Sequence, residues 1–149
     1  MKRRIFLAAV LAATTLSNVA CAASPEVYTG LVEGVGAGGY DPVAYFSADG
    51  PKKGEEGIST EWKGAKWRFA SEANRDAFKA DPDKYAPQFG GYCAYAVSQG
   101  ATAKGDPEVW TVVDGKLYLN LSTEVKALWS ADIPGFITKA KANWPAVLN

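Results

Sequence analysis

Two short stretches carry the side chains whose types and spacing could do chemistry. "FGGYCAYAV" places one thiol, Cys93, after a glycine pair, with Tyr92 before it and Tyr95 just beyond; "YDPVAYF" places Asp41 between Tyr40 and Tyr45. The chain has no histidine, and its cysteines are Cys21 and Cys93. A thiolate is a soft ligand that suits Cu(I), and an exposed thiol can be oxidised or cross-linked. A free cysteine is equally at home as a small buried residue. The four tyrosines with Asp41 are candidates to line an aromatic pocket for a small ligand or a partner's segment. Without histidine, no Ser-His-Asp or Cys-His nucleophile and no Cys/His zinc site can be assembled. Of the acidic pairs, Glu55/Glu56 reads as a solvated face and Asp81/Asp83 as a helix cap with its neighbour, so no catalytic residue is expected.

The start of the chain bears on which thiol matters. Lys2, Arg3 and Arg4 precede the apolar run "IFLAAVLAATTL", which is too short for a stable membrane span and has the form of an export leader. Ala20 and Ala22 supply the small residues a signal peptidase needs, so cleavage is expected after Ala22, and residues 23–149 are expected to form one domain in the periplasm. Asn18 stands where a lipobox has leucine, which argues against lipidation of Cys21. "RRIFL" resembles a twin-arginine signal, but paired basic residues are ordinary in leaders of the general export route. After cleavage Cys93 is the one thiol left, and no intramolecular disulfide can form. Loss of the three leader cations leaves acidic side chains in excess by three. That balance argues against nucleic acid and against an anionic membrane surface.

The elements that position these residues can be read in outline. "VYTGLV" (27–32) has the β-branched content of a strand. Gly34, Gly36 and Gly39 match a dinucleotide fingerprint, but Asp41-Pro42 follows where a helix is required, so a flexible glycine loop is expected. "STEWKGAKWRFAS" predicts a hairpin turning at residues 63–65, running into a helix capped by Ser71. Asp81-Pro82 predicts a second helix start. Asp114-Gly115 predicts a type I′ turn between two strands. Ser122 or Thr123 then caps a helix, and Pro134 opens a last one with Phe136, Ala140 and Trp144 on one stripe. Trp110, Trp129 and Trp144 are expected in the core. "NLS" at 120–122 matches a glycosylation acceptor, but at a strand end it is discounted. The pattern predicts a small single-domain α+β fold, with short helices packed on an antiparallel sheet of hairpins and no internal repeat.

"YDPVAYF" followed by "WKGAKWRFASEANRDAFKADPDKYAPQFGGYCAYAV" resembles the YHS domain, close to the TRASH-type metal-binding modules, over residues 39–97. The part over 107–149 resembles a secreted proteobacterial branch of that family. The resemblance implies cysteine ligands at three positions, which fall on Ala44, Ala70 and Asn74. None of these can supply a thiolate. Cys93 stands outside that trio, and one thiolate is too few for tight soft-metal binding. Holding Cu(I) at Cys93 would require a second copy of the chain, as a homodimer, or a periplasmic metalloprotein partner. The sequence leaves two main function classes open, besides a redox accessory in which Cys93 forms a sulfenate. One is soft-metal handling through Cys93. The other is a non-catalytic module that binds a small ligand or protein through an aromatic pocket, with a structural cysteine.

Overall fold

Two hairpins organise the chain. β1 (Glu55–Trp62) pairs antiparallel with β2 (Ala65–Phe69), and β3 (Asp106–Val113) pairs antiparallel with β4 (Lys116–Asn120), as two separate two-stranded sheets. These contacts come from a computed structural model that describes residues 22–149; the expected leader, apart from its last residue, lies outside them. Each hairpin closes through two residues with positive φ, Lys63-Gly64 (49° and 73°) and Asp114-Gly115 (50° and 72°). Such turns match the twist of the flanking strands. The helices are α1 (Glu72–Ala80), α2 (Pro82–Tyr85), α3 (Ala94–Ser98), α4 (Thr123–Ser130) and α5 (Ile133–Asn143). None is long and apolar enough to cross a membrane among the described residues. The α+β class expected from the element pattern is the fold observed.

The expectation of no repeat is overturned. Residues 36–85 and 88–143 trace the same path: a glycine turn, a short helical turn, a hairpin, a helix, and a second helix. Gly38-Gly39-Tyr40 corresponds to Gly90-Gly91-Tyr92. The positive φ values match in order, 50°, 59° and 84° at Ala37, Gly38 and Gly39 against 56°, 62° and 81° at Phe89, Gly90 and Gly91. Tyr40 bridges Lys53 as Tyr92 bridges Lys104. Both hairpins carry an irregularity at the same place, between Glu55 and Ser59 and between Asp106 and Trp110. Ser71 caps α1 by accepting from the Asn74 amide, and Ser122 caps α4 by accepting from the Val125 amide. Asp81 and Asp132 cap the following helices from nearly identical backbone angles. The identical residues are few and scattered, which hides the duplication from periodicity.

Each repeat has its own core. Trp67, Phe69 and Phe78 centre the first, while Tyr118, Trp129 and Val97 belong to the second. The Trp67–Phe78 rings lie 5.3 Å apart and the corresponding Tyr118–Trp129 rings 5.5 Å apart. Tyr45, Leu117 and Leu119 form a third cluster where the first repeat's loop meets β4. Trp129 is fully buried as expected, but Trp110 and Trp144 are only partly buried. The expected strand over 27–32 does not form; the segment makes turns, with one isolated bridge from Val32 to Val35. The glycine turn over 36–39 is packed rather than loose, with Gly36, Ala37 and Gly39 buried. At Gly90 a side chain is excluded outright, because a Cβ there would collide with the Glu26 carbonyl of the lead-in.

The matched caps give a direct test of the duplication. Ser71→Ala and Ser122→Ala are each expected to lower stability by about 1 kcal/mol in urea denaturation, because each strands one helix-terminal amide. Costs differing by more than about 1 kcal/mol would show that the two corners are not energetically equivalent units.

Candidate functional site

Asp41 organises the first repeat. Its side chain is fully buried and accepts four hydrogen bonds. Oδ1 takes the Val43 amide at 2.8 Å and the Ala44 amide at 3.3 Å, which closes the short helical turn Ala44–Phe46. Oδ2 takes the Ala70 amide at 2.9 Å and the Asn74 Nδ2 amide at 2.7 Å, at the corner where β2 enters α1. One carboxylate thus pins the loop to the hairpin–helix corner. Buried polar groups persist when their partners are complete, and Asp41 has no capacity left for a ligand. Expected as a ligand-binding residue, it is engaged here in structural bonds to the chain itself.

Ala44, Ala70 and Asn74, far apart in sequence, meet beside this carboxylate. They line an open pocket of about 500 Å³ together with Ser47, Lys52 and Tyr85. Asp49 and Lys52 pair at 3.0 Å on its rim. The positions at which the family resemblance implies thiolates are thus gathered in one place, and they present methyl groups and an amide. Such a lining offers hydrogen bonds and apolar contact and lacks soft ligands. Among the described residues, no group of three or more His, Cys, Asp or Glu side chains is placed to hold a metal ion.

Cys93 occupies in the second repeat the place that Asp41 occupies in the first. The Asp41 amide donates to the Lys52 carbonyl at 2.8 Å, and the Cys93 amide donates to the Ala103 carbonyl at 2.9 Å. The polar role has moved across the gap. Asn120, on β4 where Phe69 stands on β2, accepts the Tyr95 amide through Oδ1 at 3.1 Å, as Asp41 accepts the Val43 amide. The Cys93 thiol donates to the same Oδ1 at 3.5 Å. Cys93 is 1% exposed and lines none of the three clefts described for this protein. A buried Asn120, also 1% exposed, is no glycosylation acceptor in the folded chain.

The tyrosines expected to form one aromatic pocket are dispersed. The Tyr45 hydroxyl donates to the Pro107 carbonyl at 2.7 Å inside the core, and burial pushes its phenol far above the ordinary range. The Tyr40 hydroxyl donates to Glu108 Oε1 at 2.9 Å, and burial, then that carboxylate, raises it as well. The Tyr92 hydroxyl donates to the Pro25 carbonyl at 2.8 Å, tying down the lead-in; burial, then nearby Tyr28, raises its phenol. Tyr95 packs edge-on against Phe136, ring centroids 5.2 Å apart. Of these tyrosines, Tyr92 borders one of the three clefts described, a groove beneath residues 24–30. They act as struts between repeats and segments, because each hydroxyl in the core finds a partner on a different element.

In the second repeat, larger side chains stand at positions matching the lining of the open pocket. Tyr95 replaces Val43, Leu121 replaces Ala70, and Val125 replaces Asn74. Ser47, Lys52 and Tyr85 were missed as lining residues, since only the fold brings them to Ala44. The paired "GGY" of residues 38–40 and 90–92, with the caps Ser71/Ser122 and Asp81/Asp132 at nearly the same offset, was the sequence signal that could have exposed the duplication.

No curated protein and no solved structure matches the chain significantly. The resemblance over residues 39–97 is matched in part, since "YDPVAYF" lies outside the matched stretch. Residues 52–89 match the family model of the YHS domain, and so the hairpin, corner and helices that wall the open pocket are what this chain has in common with that family.

Proposed function

We propose that this protein is a non-catalytic small-ligand-binding module, acting in the periplasm, in which Cys93 is structural. The ligand occupies the pocket over Ala44, Ala70 and Asn74. One observation carries the reading: a fully satisfied buried carboxylate holds these three positions around an open pocket in one repeat, while the other repeat carries larger side chains at the matching positions. Maintaining an open cleft leaves apolar surface unpacked, and a fold with bulkier residues at the matching positions next door had a way to close it. The lining selects a small uncharged molecule with at least one hydrogen-bonding group, because Lys52 is already paired with Asp49 and the remaining walls are neutral. Cu(I) suits this site poorly, since the thiolates that would hold it are replaced and the Cys93 sulfur is enclosed elsewhere.

The test copies the second repeat into the first. Amide resonances of Ala44, Ala70 and Asn74 are followed by NMR while small alcohols, amides and neutral sugars are titrated in. Saturable shifts confined to this pocket are expected in the wild type. Val43→Tyr with Ala70→Leu, which reproduces the residues of the second repeat, should abolish them while leaving the fold intact. Shifts that persist in the filled variant, or an absence of saturable shifts in the wild type, would remove the proposal.

A further inference from the structure

A second cleft opens where the two repeats meet. Its floor is apolar and buried, made by Trp67, Ala86, Pro87 and Phe89 together with Val27 of the lead-in. Two half-buried indoles, Trp62 from β1 and Trp144 at the end of α5, stand in its wall. Trp62 is backed by Trp67 and Phe78, with ring centroids at 6.0 and 5.7 Å. Trp144 is backed by Phe89 and Tyr92 at 5.8 and 6.1 Å. Both indoles are therefore held from behind while part of each remains uncovered. The cleft has a volume of about 240 Å³, below the range of drug-sized sites, which limits an occupant to one or two rings.

The rim settles the charge of that occupant. Glu26 and Lys63 pair at 2.7 Å, and the Lys63 ammonium also sits 4.7 Å from the Trp62 ring centroid. Asp83 and Lys141 complete the rim with one charge of each sign. The four charges cancel, so the cleft has no net field to draw in an ion. A charged occupant would lose hydration against the apolar floor without a dedicated partner.

We propose that this seam cleft is a binding site for a small, uncharged, planar aromatic molecule that packs against Trp62 and Trp144. The site is separate from the pocket over Ala44, Ala70 and Asn74 and stands or falls independently of it. It draws on both repeats and on the lead-in, so neither repeat could form it alone.

The probe is indole, titrated into the full-length mature protein while the Trp62 and Trp144 Nε1–H resonances are followed by NMR. The expected result is saturable, concerted shifts of both resonances. Cyclohexanol, of comparable bulk but not planar, should bind roughly fivefold more weakly, since aromatic packing contributes about 1 kcal/mol beyond burial. Tryptamine and indole-3-acetate should bind no more tightly than indole. Trp144→Leu should weaken indole binding by a similar factor, and Trp62→Leu serves in its place if the first variant unfolds. The proposal is overturned by any of three results: no saturable shift at either indole, equal binding of cyclohexanol, or a charged analogue binding tenfold tighter than the neutral one.

Discussion

Asp41→Ala is expected to destabilise the protein by about 3–5 kcal/mol, more than any other single change argued from this fold. The substitution removes the acceptor for the Val43, Ala44 and Ala70 amides and for Asn74 Nδ2. The Asn74 amide can turn to the open pocket and find water there. The Ala44 amide keeps the Asp41 main-chain carbonyl at 3.3 Å, but the part-buried Val43 and Ala70 amides lose their acceptor, and each buried unpaired donor costs about 1–3 kcal/mol. Against a total stability of roughly 5–15 kcal/mol, the loss should appear as a large fall in the urea midpoint. Asp41→Asn keeps the shape and one acceptor oxygen but turns a donor toward the corner, so a smaller loss is expected. An alanine variant that unfolds at the wild-type midpoint would mean that the carboxylate does not hold the corner together.

The second large effect concerns the thiol. Cys93 of the folded protein is expected to react with a disulfide reagent roughly a thousandfold more slowly than in denaturant, because reagent access requires an opening that costs a large part of the global stability. The reactive thiolate must meet its target, and the sulfur is enclosed beside Asn120 with 1% of the residue exposed. The same enclosure predicts that wild type and Cys93→Ser take up equally little Cu(I) in a titration against a chelator. Rapid labelling of the native protein, or a stoichiometric copper signal of one ion per two chains that the serine variant lacks, would restore the soft-metal reading through a second copy or a partner protein.

The duplication explains why the thiol lies in a more enclosed place than its neighbours in sequence suggest. Read along the chain, Cys93 is the one soft atom expected to remain after leader cleavage, and its glycine-rich surroundings suit a ligand-accessible turn. Laid over the first repeat, it is the counterpart of a buried carboxylate whose capping duty has passed to Asn120. Glycines 90 and 91 serve the packing instead, one of them allowing the lead-in backbone to cross it. The same comparison recasts the tyrosines. Tyr40 and Tyr92 are equivalent residues whose hydroxyls reach different partners, Glu108 and Pro25. A residue list from one stretch of sequence cannot distinguish such struts from a pocket wall.

By itself the sequence determined the local elements. Turn dipeptides, serine and aspartate caps and the apolar alternation of both hairpins are short-range effects, set by the backbone preferences of residues within a few positions of each other. They placed β1 to β4 and the starts of α1, α2 and α4, and put the start of α5 one residue late, at Pro134 instead of Ile133. It also determined what chemistry was excluded, because an absent histidine is absent in any fold. The tertiary structure alone decided which side chains face a cavity. Burial of Cys93, saturation of Asp41, convergence of Ala44, Ala70 and Asn74, and the meeting of Trp62 with Trp144 all depend on contacts between residues tens of positions apart. Those contacts are fixed by how two divergent copies of one unit pack against each other. With the matching residues so few, the packing left almost no trace in the spacing of any single stretch.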